Sequence, residues 1–110
     1  MTRLFLDTEF NGFGGELISM ALVSDDGREW YQVRKMVTAP GEWVSINVIP
    51  KLDKLPLEGH EFRASFAAFI GQFDGCEIIA DWPADFEHFC FLLSGIGAEA
   101  GYSIPLECTM

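Results

Sequence analysis

The sequence predicts an α/β fold, a mixed sheet with helices packed against it. Three observations lead there. Strand-like apolar segments run in succession from Arg3 to Lys35, joined by tight turns. Helical periodicity takes over at Glu61 to Phe73 and returns at Pro83 to Leu93. Between those helices lies a short apolar segment, Cys76 to Ala80. A helical crossover separates it from the first strand, so the two can pair in parallel.

The elements follow in order. Arg3 to Phe10 reads as the first strand, and Asn11-Gly12-Phe13-Gly14-Gly15 as a turn. Glu16 to Ser24 is a second strand whose unbroken apolar run indicates burial on both faces. Asp25-Asp26-Gly27 is a hairpin turn into a third strand, Arg28 to Lys35. Pro40 opens a short helix reaching Ile49, with Trp43, Ile46 and Asn47 on one face and Pro50 as its stop. Lys51 to Gly59 is a loop. Phe62, Phe66, Phe69, Ile70 and Phe73 form the buried stripe of the first long helix, which Asp74-Gly75 ends. Pro83 suits the first turn of the next helix, whose stripe is Phe86, Phe89, Cys90 and Leu93 and which Gly95 and Gly97 break. Tyr102 to Leu106 begins a further strand.

The 110 residues suffice for one domain, spanning 1–110. With 49% hydrophobic residues, ten phenylalanines and three tryptophans, the core is expected to be bulky and aromatic. Seventeen acids against seven bases give a net charge of −10. That excludes a generic cationic nucleic-acid binder, whose grip comes from neutralised phosphates. A metal-dependent nuclease is not excluded, because bound divalent cations reset the local field. Cys76, Cys90 and Cys108 lack the paired spacing of a zinc site or disulfide framework and read as free thiols, two of them in the core. No segment is long and apolar enough to span a membrane, and the N-terminus does not read as a secretory signal. The expected compartment is the cytoplasm.

Chemistry enters with Asp7 and Glu9. Side chains alternate along a strand, so these two acids share a face. Asp85 falls in the first turn of the helix that follows the strand at Cys76 to Ala80. The carboxyl ends of parallel strands are where ligand sites gather. Three carboxylates converging from two elements would suit Mg²⁺ or Mn²⁺. Two such ions activate water and stabilise the leaving oxygen of a phosphodiester. Blander readings stand beside this one. Asp81 is a helix cap, Asp85 a surface acid favoured by the helix dipole, Asp7 and Glu9 a solvated strand face, and His88 a partly exposed helix histidine.

Leu4-Phe5-Leu6-Asp7-Thr8-Glu9-Phe10 resembles the first motif of the DEDD 3'-5' exonucleases, members of the ribonuclease-H-like superfamily. Glu16 to Val23, Asp26 to Tyr31, and Trp43-Val44 leading to Val48-Ile49-Pro50-Lys51-Leu52 resemble its mycobacterial-type exoribonuclease branch. Ala80-Asp81-Trp82-Pro83-Ala84-Asp85-Phe86 resembles the second motif. The resemblance implies a ribonuclease-H-like mixed sheet and a two-metal Mg²⁺ or Mn²⁺ centre held by Asp7, Glu9 and Asp85. It further implies hydrolysis from the 3' end of single-stranded RNA or DNA, and no membrane partner.

The family pattern closes with a histidine or tyrosine base a few residues before a fourth aspartate. His60 and His88 are not followed by an acid five positions on, and no aspartate follows Asp85. The expectation is a C-terminally truncated copy of the domain, impaired or inactive alone, with apolar surface open to self-association. The alternatives are a catalytically dead nucleic-acid or protein interaction module and a purely structural acidic domain.

Overall fold

The computed structural model describes residues 2–12, 14–100 and 106–109, with 95–100 and 106–109 described by backbone course. The chain runs β1 (Thr2–Phe10), β2 (Leu17–Ser24), β3 (Glu29–Val33), α1 (Glu42–Asn47), a 3-10 turn (Ile49–Lys51), α2 (Gly59–Ile70), β4 (Cys76–Ile79), α3 (Pro83–Ala100) and β5 (Leu106–Thr109). The sheet order is β3-β2-β1-β4-β5. β1 pairs antiparallel with β2, and β2 with β3. β4 lies parallel to β1, with Leu4 opposite Ile78, and β5 lies parallel to β4. The fold is thus α/β with a mixed sheet, and β1 is its centre.

Alternation along β1 divides the molecule. Leu4, Leu6 and Thr8 are buried, while Phe5, Asp7 and Glu9 are exposed. The buried face joins Met20, Leu22 and Trp30 of the neighbouring strands to Phe62, Phe66, Phe69 and Ile70 of α2 and Phe89 and Leu92 of α3. Trp30 lies edge-on to Phe62 and Phe66, with centroids 5.5 and 5.8 Å away, and its indole N–H donates to Ser65 Oγ at 3.0 Å. That bond satisfies the one polar atom this aromatic cluster buries with the indole.

A smaller cluster on the opposite face joins Ile18 of β2 to Val44 and Val48. It exists because β2 carries one extra residue opposite Glu9 and Phe10, where the pairing steps from Ser19 to Leu17. The irregularity lets Leu17 enter the main core while Ile18 packs with α1. The turn before β2 is tight. A Cβ on Gly15 would stand 1.8 Å from the Asn11 carbonyl oxygen, so only glycine fits there. The β2–β3 hairpin needs Gly27 at φ +93°, as its Asp-Gly step predicts.

Several boundaries differ from the sequence expectations. α1 buries Val44 rather than Trp43 or Ile46, and Pro50 lies inside a 3-10 turn instead of stopping the chain's coiling. A 3-10 turn accepts proline near its start, where no intrahelical N–H is required. α2 ends at Ile70 with Gly71 as its cap, before Asp74-Gly75, although Phe73 is still buried. α3 continues through Gly95 and Gly97 to Ala100. Glycine weakens a helix by about 1 kcal/mol relative to alanine, which lowers helix stability without forcing a break. Cys90 is exposed and Leu92 occupies the buried line in its place. Residues 102–105 of the last expected strand lie outside the described residues, and Leu106 begins β5. Among the described residues no helix is long and apolar enough to cross a membrane.

Candidate functional site

Asp7 and Glu9 face an open cleft of about 380 Å³. Its floor is the outer face of the meander, with Ser19, Ala21 and Tyr31 beside the two acids. Its wall is the segment from α1 to the 3-10 turn, which contributes Trp43, Asn47, Val48, Lys51 and Leu52. Sheet pairing dictates the floor, since Asp7 pairs with Ala21, Glu9 with Ser19, and Ala21 with Tyr31.

Asp85 arrives from α3. Its backbone N–H donates to the Trp82 carbonyl at 3.1 Å, closing the first turn after Pro83. The side chain is only 3% exposed, and its Oδ1 accepts the Thr8 hydroxyl at 2.5 Å. Thr8 stands between Asp7 and Glu9 in sequence, so one β1 tripeptide offers two carboxylates to the cleft and a hydroxyl to the helix. Burial raises the Asp85 carboxyl above its usual range; the Thr8 bond and His88 counter this, while Asp7 and Asp81 add to it. Burial likewise raises Glu9, reinforced by the negative charges of Asp7 and Asp85 and relieved by Lys51.

The charges of Asp7 and Asp85 are therefore near enough to be felt at Glu9, and that of Asp7 at Asp85. Among the described residues, however, no group of three or more His, Cys, Asp or Glu side chains is gathered into metal-holding geometry. Asp85 is engaged with Thr8 instead. The donor chemistry nevertheless fits a hard divalent cation: all three offer carboxylate oxygens, and a cation would offset their negative charge.

His88, one turn after Asp85, stacks obliquely on Phe10 at 5.4 Å, and burial lowers its pKa. Asp81 is exposed and precedes α3. Trp82 is exposed as well, contrary to a core role, whereas Trp30 is buried.

Sequence reasoning missed the supports of the site. Thr8 was signalled by a hydroxyl at the third position of the buried alternation Leu4, Leu6, Thr8, where a polar atom needs a partner. Asn11 and Glu16 gave no such signal, because their partners lie eighteen to thirty residues away. Asn11 donates to Thr38 Oγ1 at 3.2 Å and to the Ala39 carbonyl at 2.9 Å, and its Oδ1 accepts the Gly41 N–H at 2.8 Å. Glu16 accepts the Val37 and Thr38 N–H groups, the Thr38 hydroxyl and an Arg34 guanidinium N–H at 2.5–3.0 Å. The loop that ends β1 thus fastens the segment leading into α1, and with it the cleft wall.

Burial alone would raise the Glu16 carboxyl, but these donors outweigh it and hold its pKa at about 2, down from 4.5. A folded-state pKa below the unfolded one stabilises the protein fully above pH 4.5; that contribution is lost as pH falls toward about 2. Thermal melts of wild type and Glu16→Gln across this range should converge as the pH drops, with wild type the more stable at neutral pH. A stability gap independent of pH would refute the charge-based account of this clamp.

Two proteins from Mycobacterium tuberculosis, of strains CDC 1551 / Oshkosh and ATCC 25618 / H37Rv, are similar to this chain, and each is named a 3'-5' exoribonuclease. Each is 36% identical over 88 residues, covering 73% of this chain and 52% of the relative. The chain spans about half the length of these curated relatives. No family model matches it.

Proposed function

We propose that this chain is a metal-dependent 3'-5' exonuclease domain over residues 1–110, of the DEDD group with a ribonuclease-H-like fold. Its substrate would be the 3' end of single-stranded nucleic acid, RNA before DNA. The observation that carries the reading is the gathering of acids at one end of β1: Asp7 and Glu9 line one cleft, and Asp85 is bonded to Thr8 between them. The likeness to the two exoribonucleases supports it.

Asp7 and Glu9 would hold Mg²⁺ or Mn²⁺ from the cleft side and Asp85 from the helix side. Such ions supply Lewis acidity for attack of water on the terminal phosphodiester. The chain's own residues bind and orient. Thr8 holds one Asp85 oxygen and leaves the other to act as a ligand. Lys51, the cation whose charge is felt at Glu9, stands where a phosphate would enter the cleft. The net charge of −10 implies that substrate is gripped here and not along a basic face. A histidine base five residues before an aspartate does not occur in the sequence, so turnover by this chain should be slow.

The test is a 5'-labelled single-stranded RNA with a free 3' end. In Mn²⁺ the label should move through a ladder shortened one nucleotide at a time, and chelation should stop it. Internal cuts without a ladder, or shortening that survives chelation, would overturn the proposal.

A further inference from the structure

Two successive positions on the core-facing side of β1 each meet α3. The Thr8 hydroxyl bonds to Asp85 at 2.5 Å, and the Phe10 ring lies on His88 with centroids 5.4 Å apart and planes tilted by 35°. Thr8 and Phe10 share a face because side chains alternate along a strand. Asp85 and His88 share a face because they are three residues apart on a helix. The two contacts are therefore neighbouring rungs between one strand end and one helix end. Phe10 and His88 are both half-buried, and burial lowers the His88 pKa, which favours the uncharged ring.

Asp85 lies in the first turn of α3. The opening N–H groups of a helix have no partner within it, so that turn is held less firmly than the middle. The Asp85 N–H reaches back to the Trp82 carbonyl, and Trp82 is itself 65% exposed. The chain entering the helix thus supplies little packing. Phe89 seats α3 in the core, and His88 beside it faces the strand end that carries the acids.

We propose that His88 is a positioning residue: its ring, set on Phe10, holds the first turn of α3 against the end of β1, so that Asp85 stays on Thr8 and beside the other two acids. This rests on the nuclease reading of those acids. His88 then takes no proton and binds no metal. Any flat ring of similar size would serve, whereas a base or a ligand needs the imidazole nitrogens.

The test compares wild type with His88→Ala, His88→Phe, Phe10→Ala and the double alanine variant. Leu92→Val, buried on the same helix, is the control. Two quantities are read at a temperature where melting curves show every protein folded: Mn²⁺ affinity by calorimetry, and amide exchange at Asp85 in chelator by NMR. His88→Ala and Phe10→Ala should each weaken Mn²⁺ binding about tenfold and speed exchange at Asp85. The double variant should be no weaker than either, because both changes remove one contact. His88→Phe should keep most of the wild-type affinity. Leu92→Val should match wild type in both readouts although it melts earlier. A loss in His88→Phe as large as in His88→Ala would overturn the proposal in favour of a role for the ring nitrogens. Equal losses in Leu92→Val and His88→Ala would reduce the effect to general stability and overturn it as well. Equal Mn²⁺ affinity in wild type and His88→Ala would overturn it and leave the metal centre standing. Faster Asp85 exchange in His88→Ala, where wild type binds no Mn²⁺, would uphold the contact and count against the nuclease reading.

Discussion

Phe66→Ala is expected to remove about 3–5 kcal/mol of folding stability. The side chain is fully buried and lies at the junction of the sheet with both long helices. Its ring stands edge-on to Trp30 at 5.8 Å and to Phe89 at 5.3 Å. Alanine there would leave a cavity walled by rigid aromatics from three elements, and such walls collapse poorly. Domains of this kind have about 5–15 kcal/mol in total, so the variant should be marginally folded. Urea denaturation beside Phe91→Ala supplies the comparison. Phe91 is 72% exposed on α3, and its loss should change stability by no more than about 0.5 kcal/mol. Similar losses in the two variants would contradict this placement of the core.

The second large effect concerns the acids. Asp7→Ala removes one negative charge that raises Glu9 and also opposes ionisation of Asp85. Without metal, Glu9 should ionise at lower pH in the variant, because less repulsion opposes its charged form. With metal the sign of the consequence reverses. The negative charge that opposes ionisation of Glu9 would attract a cation, so Mn²⁺ affinity should fall at least about tenfold. The two readouts must move together. A drop in Mn²⁺ affinity with no change at Glu9 would mean that Asp7 acts apart from the other carboxylates.

Much of this arrangement was legible in the sequence. The alternation around Asp7 and Glu9, the Asp-Gly hairpin and the phenylalanine spacing of α2 each follow from local geometry, and the structure carries all three. The helical crossover correctly implied the parallel β1–β4 pair. Less was visible where tertiary contacts decide. The sequence puts Trp43, Ile46 and Asn47 on one face of α1 but does not say which face is buried, because apolar character alone does not distinguish a core residue from an exposed cleft wall. Val44 and Val48 sit inside because the extra residue in β2 turns Ile18 toward them, and no local pattern announces that. The glycines at 95 and 97 were weighed as breaks when they are only weak helix formers. The Thr8–Asp85 bond spans 77 positions, beyond the reach of any spacing rule.

The central claim is that Asp7, Glu9 and Asp85 form one divalent-cation centre, and calorimetric Mn²⁺ titration tests it most directly. Wild type should be compared with Asp7→Ala, with Asp85→Asn, which keeps an acceptor for Thr8, and with Asp74→Ala, an exposed acid between α2 and β4. The account expects the first two variants to bind Mn²⁺ at least about tenfold more weakly than wild type and Asp74→Ala to match it. Equal affinity in all four proteins would contradict it.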